Sequence, residues 1–131
     1  MKTAFIIIDV QNILVETGFE TQKLLEKISY LQDQARKQQI EIIYIQHIET
    51  EEALTSEDWK LSPLLKRQSD EKVFQKRYNS MFKETGLKEY LDQQGIEKLV
   101  LCGMQTEYCV DTSVKVAFEH GYKLVVPEGT V

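Results

Sequence analysis

The chain has 131 residues, which is enough for one domain with a sizeable hydrophobic core and too few for two domains of ordinary size. Its 42% hydrophobic and 28% charged content is typical of a globular protein, and a net charge of −5 without a basic cluster argues against a nucleic-acid partner. We find no signal peptide and no apolar stretch of membrane-spanning length, and therefore expect a cytoplasmic protein without a membrane partner.

Short apolar runs alternate with amphipathic segments along the chain. Runs rich in apolar and β-branched residues predict five strands, over 4–8, 40–45, 73–74, 99–102 and 122–126. Apolar residues at helical spacing predict helices over 21–38, 87–93 and 106–120, whereas the polar stretch 49–58 is interpreted as a loop. This alternation predicts an α/β fold over residues 1–131, in which a mainly parallel, Rossmann-like sheet lies between two layers of helices in a three-layer α/β/α arrangement.

Three reactive side chains fall at predicted strand ends. Asp9 ends the first strand, Lys76 ends the third, and Cys109 follows the fourth after a short turn. Open α/β sheets bind ligands beyond the carboxyl ends of their strands, so an acid, a cation and a thiol could meet there. Each residue also has a simpler interpretation: Asp9 as a turn cap, Lys76 as a solvated surface lysine and Cys109 as a buried structural cysteine.

The predicted position of Cys109 favours thiol chemistry. The helix over 106–120 would place the thiol in its first turn, where free backbone N–H groups and a nearby cation favour the thiolate. The other cysteine, Cys102, lies seven positions earlier in a predicted strand. A disulfide framework is not expected from such a pair, and we predict reduced thiols.

Three segments of the sequence carry a family resemblance. They are Ile7-Ile8-Asp9-Val10-Gln11-Asn12, Lys76-Arg77-Tyr78-Asn79-Ser80-Met81-Phe82 and Gly103-Met104-Gln105-Thr106-Glu107-Tyr108-Cys109-Val110. In this order and spacing, the chain resembles the isochorismatase-like cysteine hydrolases, a superfamily that includes nicotinamidases and carbamoylsarcosine amidohydrolases. The resemblance covers the whole chain and implies a single hydrolase domain over 1–131.

The resemblance implies a mechanism and the residues that perform it. Asp9, Lys76 and Cys109 match the catalytic triad of the family. A non-proline cis peptide is implied between Met104 and Gln105, with the N–H groups of Gln105 and Cys109 forming an oxyanion hole. Such enzymes cleave a small amide or ureido C–N bond through a thioester, and an intact triad favours amide hydrolysis over the vinyl-ether cleavage of true isochorismatases.

The metal site of nicotinamidases is not expected in this chain. That site uses an Asp and two His residues near the second strand, where this sequence holds only His47, because His120 lies far along the chain. We therefore predict no metal and no cofactor. His47 could line the pocket or be a structural histidine. The resemblance suggests substrate contacts also from Trp59, Gln105 and Tyr108, with Phe19 in a similar part, and the alternative for Trp59 is an aromatic of the core or of a lid.

Further expectations follow from comparing the chain with this family. Relatives continue with a further helix and usually a sixth strand after the segment that matches 128–131, so we expect either a truncated chain or an edge covered by a partner. A homo-oligomer, a dimer or larger, is implied by the resemblance. The alternatives are a vinyl-ether hydrolase that uses Asp9 or a non-catalytic member of the fold. Receiver domains and dehalogenase-type phosphatases need acidic pairs that Ile8-Asp9-Val10-Gln11 does not supply.

Overall fold

A computed structural model describes residues 1–17, 20–104 and 110–130. Within these ranges, five parallel strands form one sheet in the order β3-β2-β1-β4-β5. The strands are β1 (Lys2–Ile8), β2 (Glu41–His47), β3 (Lys72–Lys76), β4 (Ile96–Gly103) and β5 (Lys123–Val125). The helices are α1 (Asn12–Thr17), α2 (Thr21–Lys37), α3 (Leu87–Gln93) and α4 (Asp111–Glu119). None of the helices in these ranges combines the length and apolarity needed to cross a lipid bilayer.

The two faces of the sheet are covered by different helices. Ala4, Ile6 and Ile8 of β1 belong to one buried cluster, which also contains Leu87 and Leu91 of α3 and Ala117 of α4. The alternate residues Phe5 and Ile7 belong to a second cluster with Ile28 and Ala35 of α2. Because successive side chains of a strand point to opposite faces, one apolar run supplies both cores. The predicted three-layer α/β/α architecture is therefore confirmed.

Strands β1 to β4 are longer than the apolar runs predict, whereas β5 is shorter than the predicted 122–126. β2 continues to His47 and β3 spans Lys72–Lys76, because parallel pairing uses backbone groups and tolerates polar side chains at the strand ends. The short helix α1 was not predicted. The stretch 49–58, which was interpreted as a loop, contains 3-10 turns at Glu51–Leu54 and Glu57–Trp59, and a third follows at Pro63–Leu65.

Gly103 ends β4 where its backbone passes close to β1. A Cβ atom at this position would lie 2.1 Å from the carbonyl oxygen of Ile8, which is its partner in the β1–β4 register. The amide of Met104 donates to the same Ile8 oxygen at 2.9 Å, and the amide of Gly103 donates to Thr130 at 2.8 Å. Glycine is therefore required here by the approach of two backbones.

A partly buried polar network joins α2, β2 and the residue that precedes β3. Arg36 donates to both carboxylate oxygens of Glu71, at 3.1 and 2.9 Å, and the Tyr44 hydroxyl donates to Glu71 at 2.9 Å. Gln32 donates to the Tyr44 hydroxyl and to the Leu65 carbonyl, both at 2.8 Å. Burial would raise the pKa of Glu71, but these hydrogen bonds to its ionised form outweigh burial and lower the pKa.

We predict that Gly103→Ala destabilises the protein at the upper end of the ~1–3 kcal/mol range typical of overpacked sites, because backbone atoms cannot rotate away. Gly95→Ala is the matched control, since Gly95 has a φ of +70° and open space around its Cβ position. It should lose only about 1 kcal/mol, from backbone conformation. Urea unfolding measures both values, and equal losses would contradict the predicted clash.

We also predict that Glu71 contributes to stability in a pH-dependent way. Because its pKa is lower in the folded chain than its ordinary value of 4.5, its contribution is present above pH 4.5 and is lost as the pH falls through the lowered folded value. Glu71→Gln should show a flatter dependence of unfolding free energy on pH in that acidic window. Glu57→Gln is the control, because the side chain of Glu57 is 79% exposed, and it should follow the wild-type curve.

Candidate active site

Asp9 and Lys76 meet at the carboxyl edge of the sheet. Asp9 directly follows β1, and Lys76 is the last residue of β3, so the strand between them is β2. Lys76 Nζ lies 3.3 Å from Asp9 Oδ2, and both side chains are fully buried. The structure thus excludes a solvated surface lysine at position 76. Two opposite charges so deeply buried are costly to hold, which makes the pair a candidate for chemistry.

The Lys76 ammonium has three polar neighbours. Besides the Asp9 carboxylate, they are the Tyr78 carbonyl oxygen at 3.2 Å and His47 Nδ1 at 3.4 Å. A lysine ammonium has three N–H donors, and three partners therefore define its direction. The lysine cannot swing towards solvent without leaving all of them.

The backbone at Asp9 is held in an unusual conformation. Its φ is +58°, in the left-handed region that non-glycine residues seldom adopt, although Asp and Asn tolerate it best. The Asp9 amide donates to the Ile45 carbonyl of β2 at 2.9 Å, which continues the β1–β2 pairing by one residue. Strained backbone that persists at a strand end is a feature of functional sites.

Gln11 organises this edge of the sheet, a role that sequence reasoning missed. Its buried amide donates to the His47 carbonyl at 3.0 Å and to the Trp59 carbonyl at 2.6 Å. Its side-chain oxygen accepts the His47 amide at 2.8 Å. The available signal was a glutamine two residues after a buried strand end, because a buried amide must satisfy all its polar groups.

Two of the predicted substrate contacts lie together. The rings of His47 and Trp59 are 6.0 Å apart between centroids and are tilted by 55°, and both residues are partly exposed. The carbonyl of Trp59 also accepts from the Gln46 side chain at 2.9 Å. Hydrogen bonds from two glutamines thus fix this loop beside the end of β2.

Other predicted site residues fall outside the described ranges. These are the nucleophile candidate, two predicted substrate contacts and the oxyanion-hole glutamine, namely Cys109, Phe19, Tyr108 and Gln105. The peptide between Met104 and Gln105, for which a cis bond was predicted, also lies outside them. On either side, Met104 is anchored to the end of β1, and the buried Val110 precedes α4.

The chemical role of Cys102 can be judged directly. Cys102 is fully buried within β4, and burial raises the pKa of its thiol because a thiolate is poorly solvated there. Such a thiol is a poor nucleophile at neutral pH. Among the residues that the structure describes, no group of three or more His, Cys, Asp or Glu side chains is arranged to hold a metal ion.

Known proteins resemble both the sequence and the fold. The family model for the isochorismatase domain matches residues 3–131. The isochorismatase family protein YddQ of Bacillus subtilis is 29% identical, over 98% of this chain and 76% of its own length. The streptothricin hydrolase of Streptomyces noursei is 28% identical over 95% of this chain, which spans only 47% of that enzyme.

Further similarity comes from an amidohydrolase and from solved structures. The maleamate amidohydrolase of Pseudomonas putida is 37% identical over 45% of this chain and 28% of that enzyme. A crystal structure of an isochorismatase family protein superposes with a TM-score of 0.92 at 29% identity, covering 98% of this chain and 80% of that one. For an isochorismatase-like hydrolase from Alkaliphilus metalliredigens the TM-score is 0.85 at 27% identity, with coverages of 95% and 78%.

We predict that Lys76→Met destabilises the chain by about 3–5 kcal/mol, because it removes the ammonium 3.3 Å from a buried carboxylate. The double variant Asp9→Asn with Lys76→Met should be less destabilised than the sum of the single variants. Lys60→Met is the control, since its ion pair with Glu57 is exposed and should contribute under ~1 kcal/mol. Urea unfolding measures all four variants, and additive losses would contradict a coupled pair.

Proposed function

Because this chain belongs to the isochorismatase family and is similar to a streptothricin hydrolase and a maleamate amidohydrolase, we propose that it is a hydrolase that cleaves the C–N bond of a small amide or ureido compound. The observation that carries this proposal is the buried ion pair of Asp9 and Lys76 at the carboxyl edge of the sheet. A carboxylate held there can exchange protons with a reacting group, and open parallel sheets bind their ligands at this edge.

In this proposal Cys109 is the nucleophile. Cys102 is unsuitable because it is buried in the core with a raised thiol pKa, and Cys109 is the other cysteine of the sequence. The connection that carries Cys109 starts from Gly103 and Met104, whose amides are fixed by Thr130 and Ile8. Ile8 immediately precedes Asp9, so the end of β1 positions both the proposed base and the start of the segment that carries the nucleophile.

The first half of the reaction forms a thioester. Asp9 takes the proton from the Cys109 thiol, and the Lys76 ammonium stabilises the negative charge that passes to sulfur. The thiolate attacks the amide carbon and forms a tetrahedral oxyanion, which the N–H groups of Gln105 and Cys109 would bind. The C–N bond then breaks, the proton on Asp9 passes to the departing nitrogen, and ammonia or an amine leaves.

The second half of the reaction uses the same carboxylate as a base. Asp9 removes a proton from a water molecule, whose oxygen attacks the thioester carbon. The C–S bond breaks, and the proton held by Asp9 returns to sulfur or passes to solvent. The products are a carboxylic acid and the free enzyme, with no cofactor consumed. His47 and Trp59, which lie together beside this pair, are the proposed substrate contacts among the described residues.

We predict that the wild-type chain releases ammonia from members of a panel of small primary amides and ureido compounds. Cys109→Ala should abolish turnover, and Asp9→Asn should lower kcat by about 10²–10⁴-fold, because it removes the proton acceptor. Mass spectrometry of a rapidly quenched reaction should detect an acyl group on Cys109. Cys102→Ala is the matched control and should retain both turnover and the acyl adduct.

Two outcomes would contradict the mechanism. Ammonia release that survives Cys109→Ala would exclude a thioester on that residue. A folded wild-type chain that cleaves no compound in the panel, and whose Cys109 does not react with iodoacetamide near neutral pH, would favour a non-catalytic member of the family.

A further inference from the structure

We propose that His47 is a positioning residue of this site: a neutral imidazole, protonated on Nε2, whose Nδ1 fixes the Lys76 ammonium. The inference concerns the same site as the proposed hydrolase and, for its effect on turnover, rests on that function. The geometry behind it is independent of any substrate. It consists of two contacts of 3.4 Å, one at each nitrogen of the imidazole ring.

The first contact determines which nitrogen lacks a proton. His47 Nδ1 lies 3.4 Å from Lys76 Nζ, and an ammonium group can only donate. The Lys76 nitrogen also lies 3.3 Å from the Asp9 carboxylate, the kind of acceptor with which an ammonium forms a charged hydrogen bond. Nδ1 must therefore act as the acceptor, and a neutral ring then carries its proton on Nε2.

The second contact agrees with this assignment. His47 Nε2 lies 3.4 Å from Glu49 Oε1, and a carboxylate can only accept. The side chain of His47 is 12% exposed and that of Glu49 is 62% exposed. Asp9, Lys76, His47 and Glu49 thus form a chain of polar contacts that runs from the interior of the site to solvent. With this tautomer, a donor faces an acceptor in each contact.

The backbone holds the imidazole in this position. His47 is paired with Lys76 in the β2–β3 register, and the Gln11 side chain binds both the N–H and the carbonyl of His47. The Trp59 ring packs 6.0 Å away on the loop that Gln11 also binds. The ring is thus set by a strand and a buried amide, which is how positioning groups reach the accuracy that catalysis needs.

Protonation of His47 would make its contact with Lys76 repulsive. An imidazolium has N–H groups on both nitrogens, so Nδ1 would present a donor and a positive charge to the Lys76 ammonium. The charged groups that face the imidazole in the described ranges are Lys76 from β3 and Glu49 from its own segment, with Asp9 behind Lys76. The alignment of the site therefore requires a neutral imidazole at position 47.

The tautomer can be tested on the resting protein by long-range ¹H–¹⁵N NMR of uniformly labelled chain. The sequence has two histidines, His47 and His120, so a His120→Asn variant assigns the signals. We expect an unprotonated Nδ1 and a protonated Nε2 for His47 at neutral pH. In Lys76→Met this preference should weaken, provided that circular dichroism shows a folded chain. A protonated Nδ1 or an averaged pair of nitrogens in the wild-type protein would overturn the assignment.

The effect on turnover is tested with two substitutions at the same position. His47→Asn keeps an acceptor near the place of Nδ1, whereas His47→Leu removes the acceptor. We expect His47→Asn to lower kcat less than His47→Leu does, because an acceptor remains for the Lys76 ammonium. His47→Leu should lower kcat by roughly tenfold or more, with a smaller effect on KM, because the ammonium loses a partner.

The outcomes separate this inference from the proposed function. If the wild-type chain cleaves no amide, the hydrolase proposal fails, and the NMR measurement still decides the tautomer. If amides are cleaved but His47→Leu has the kcat of the wild type, the positioning role fails and the hydrolase remains. A His120→Asn control should leave kcat unchanged, because His120 lies at the end of α4 against Phe82.

Discussion

A buried ion pair between two strands that are not neighbours is the interaction on which this site depends. Asp9 and Lys76 approach each other across the end of β2, and neither side chain reaches solvent. Transfer of such charges from water costs several kcal/mol for each ion, which mutual attraction and further polar contacts must offset. The sheet supplies that compensation, because its register brings His47 beside Lys76 and the following turn turns the Tyr78 carbonyl towards the same nitrogen. The fold thus makes a costly arrangement stable.

The sequence predicted the layers because apolar runs such as 4–8 are buried on both faces, and that pattern requires a covered parallel sheet. It also predicted that Asp9 and Lys76 would share an edge, because strand ends in a parallel sheet coincide. It could not predict that Lys76 is buried, since burial depends on β3 lying beside β2. Nor could it predict the hydrogen bonds of Gln11, whose partners are 36 and 48 positions away in the chain. Contacts between distant segments follow from the assembled fold and have no local signature.

Gln11 shows how one buried side-chain amide can join three segments of the chain. It joins the end of β1, the end of β2 and the loop that contains Trp59, and it uses donor and acceptor together. The neighbouring Asn12 continues the connection, because its side chain donates to the Glu57 carbonyl at 2.8 Å and its amide donates to the Lys60 carbonyl at 2.9 Å. An irregular loop is thereby held against a regular sheet by polar contacts at its base. These contacts contribute to the position of Trp59, which the loop carries.

The left-handed backbone at Asp9 limits which residues could ever replace it. The residue at position 9 must carry a negative charge to pair with Lys76, and its backbone must tolerate a φ of +58°. Glutamate keeps the charge, but it is less tolerant of this conformation and adds a methylene group to a fully buried space. Asparagine suits the backbone and the volume but gives up the charge. Each replacement therefore has its own structural cost, glutamate in conformation and volume and asparagine in a buried ammonium that loses its carboxylate, so position 9 should resist substitution even where selection for turnover is relaxed.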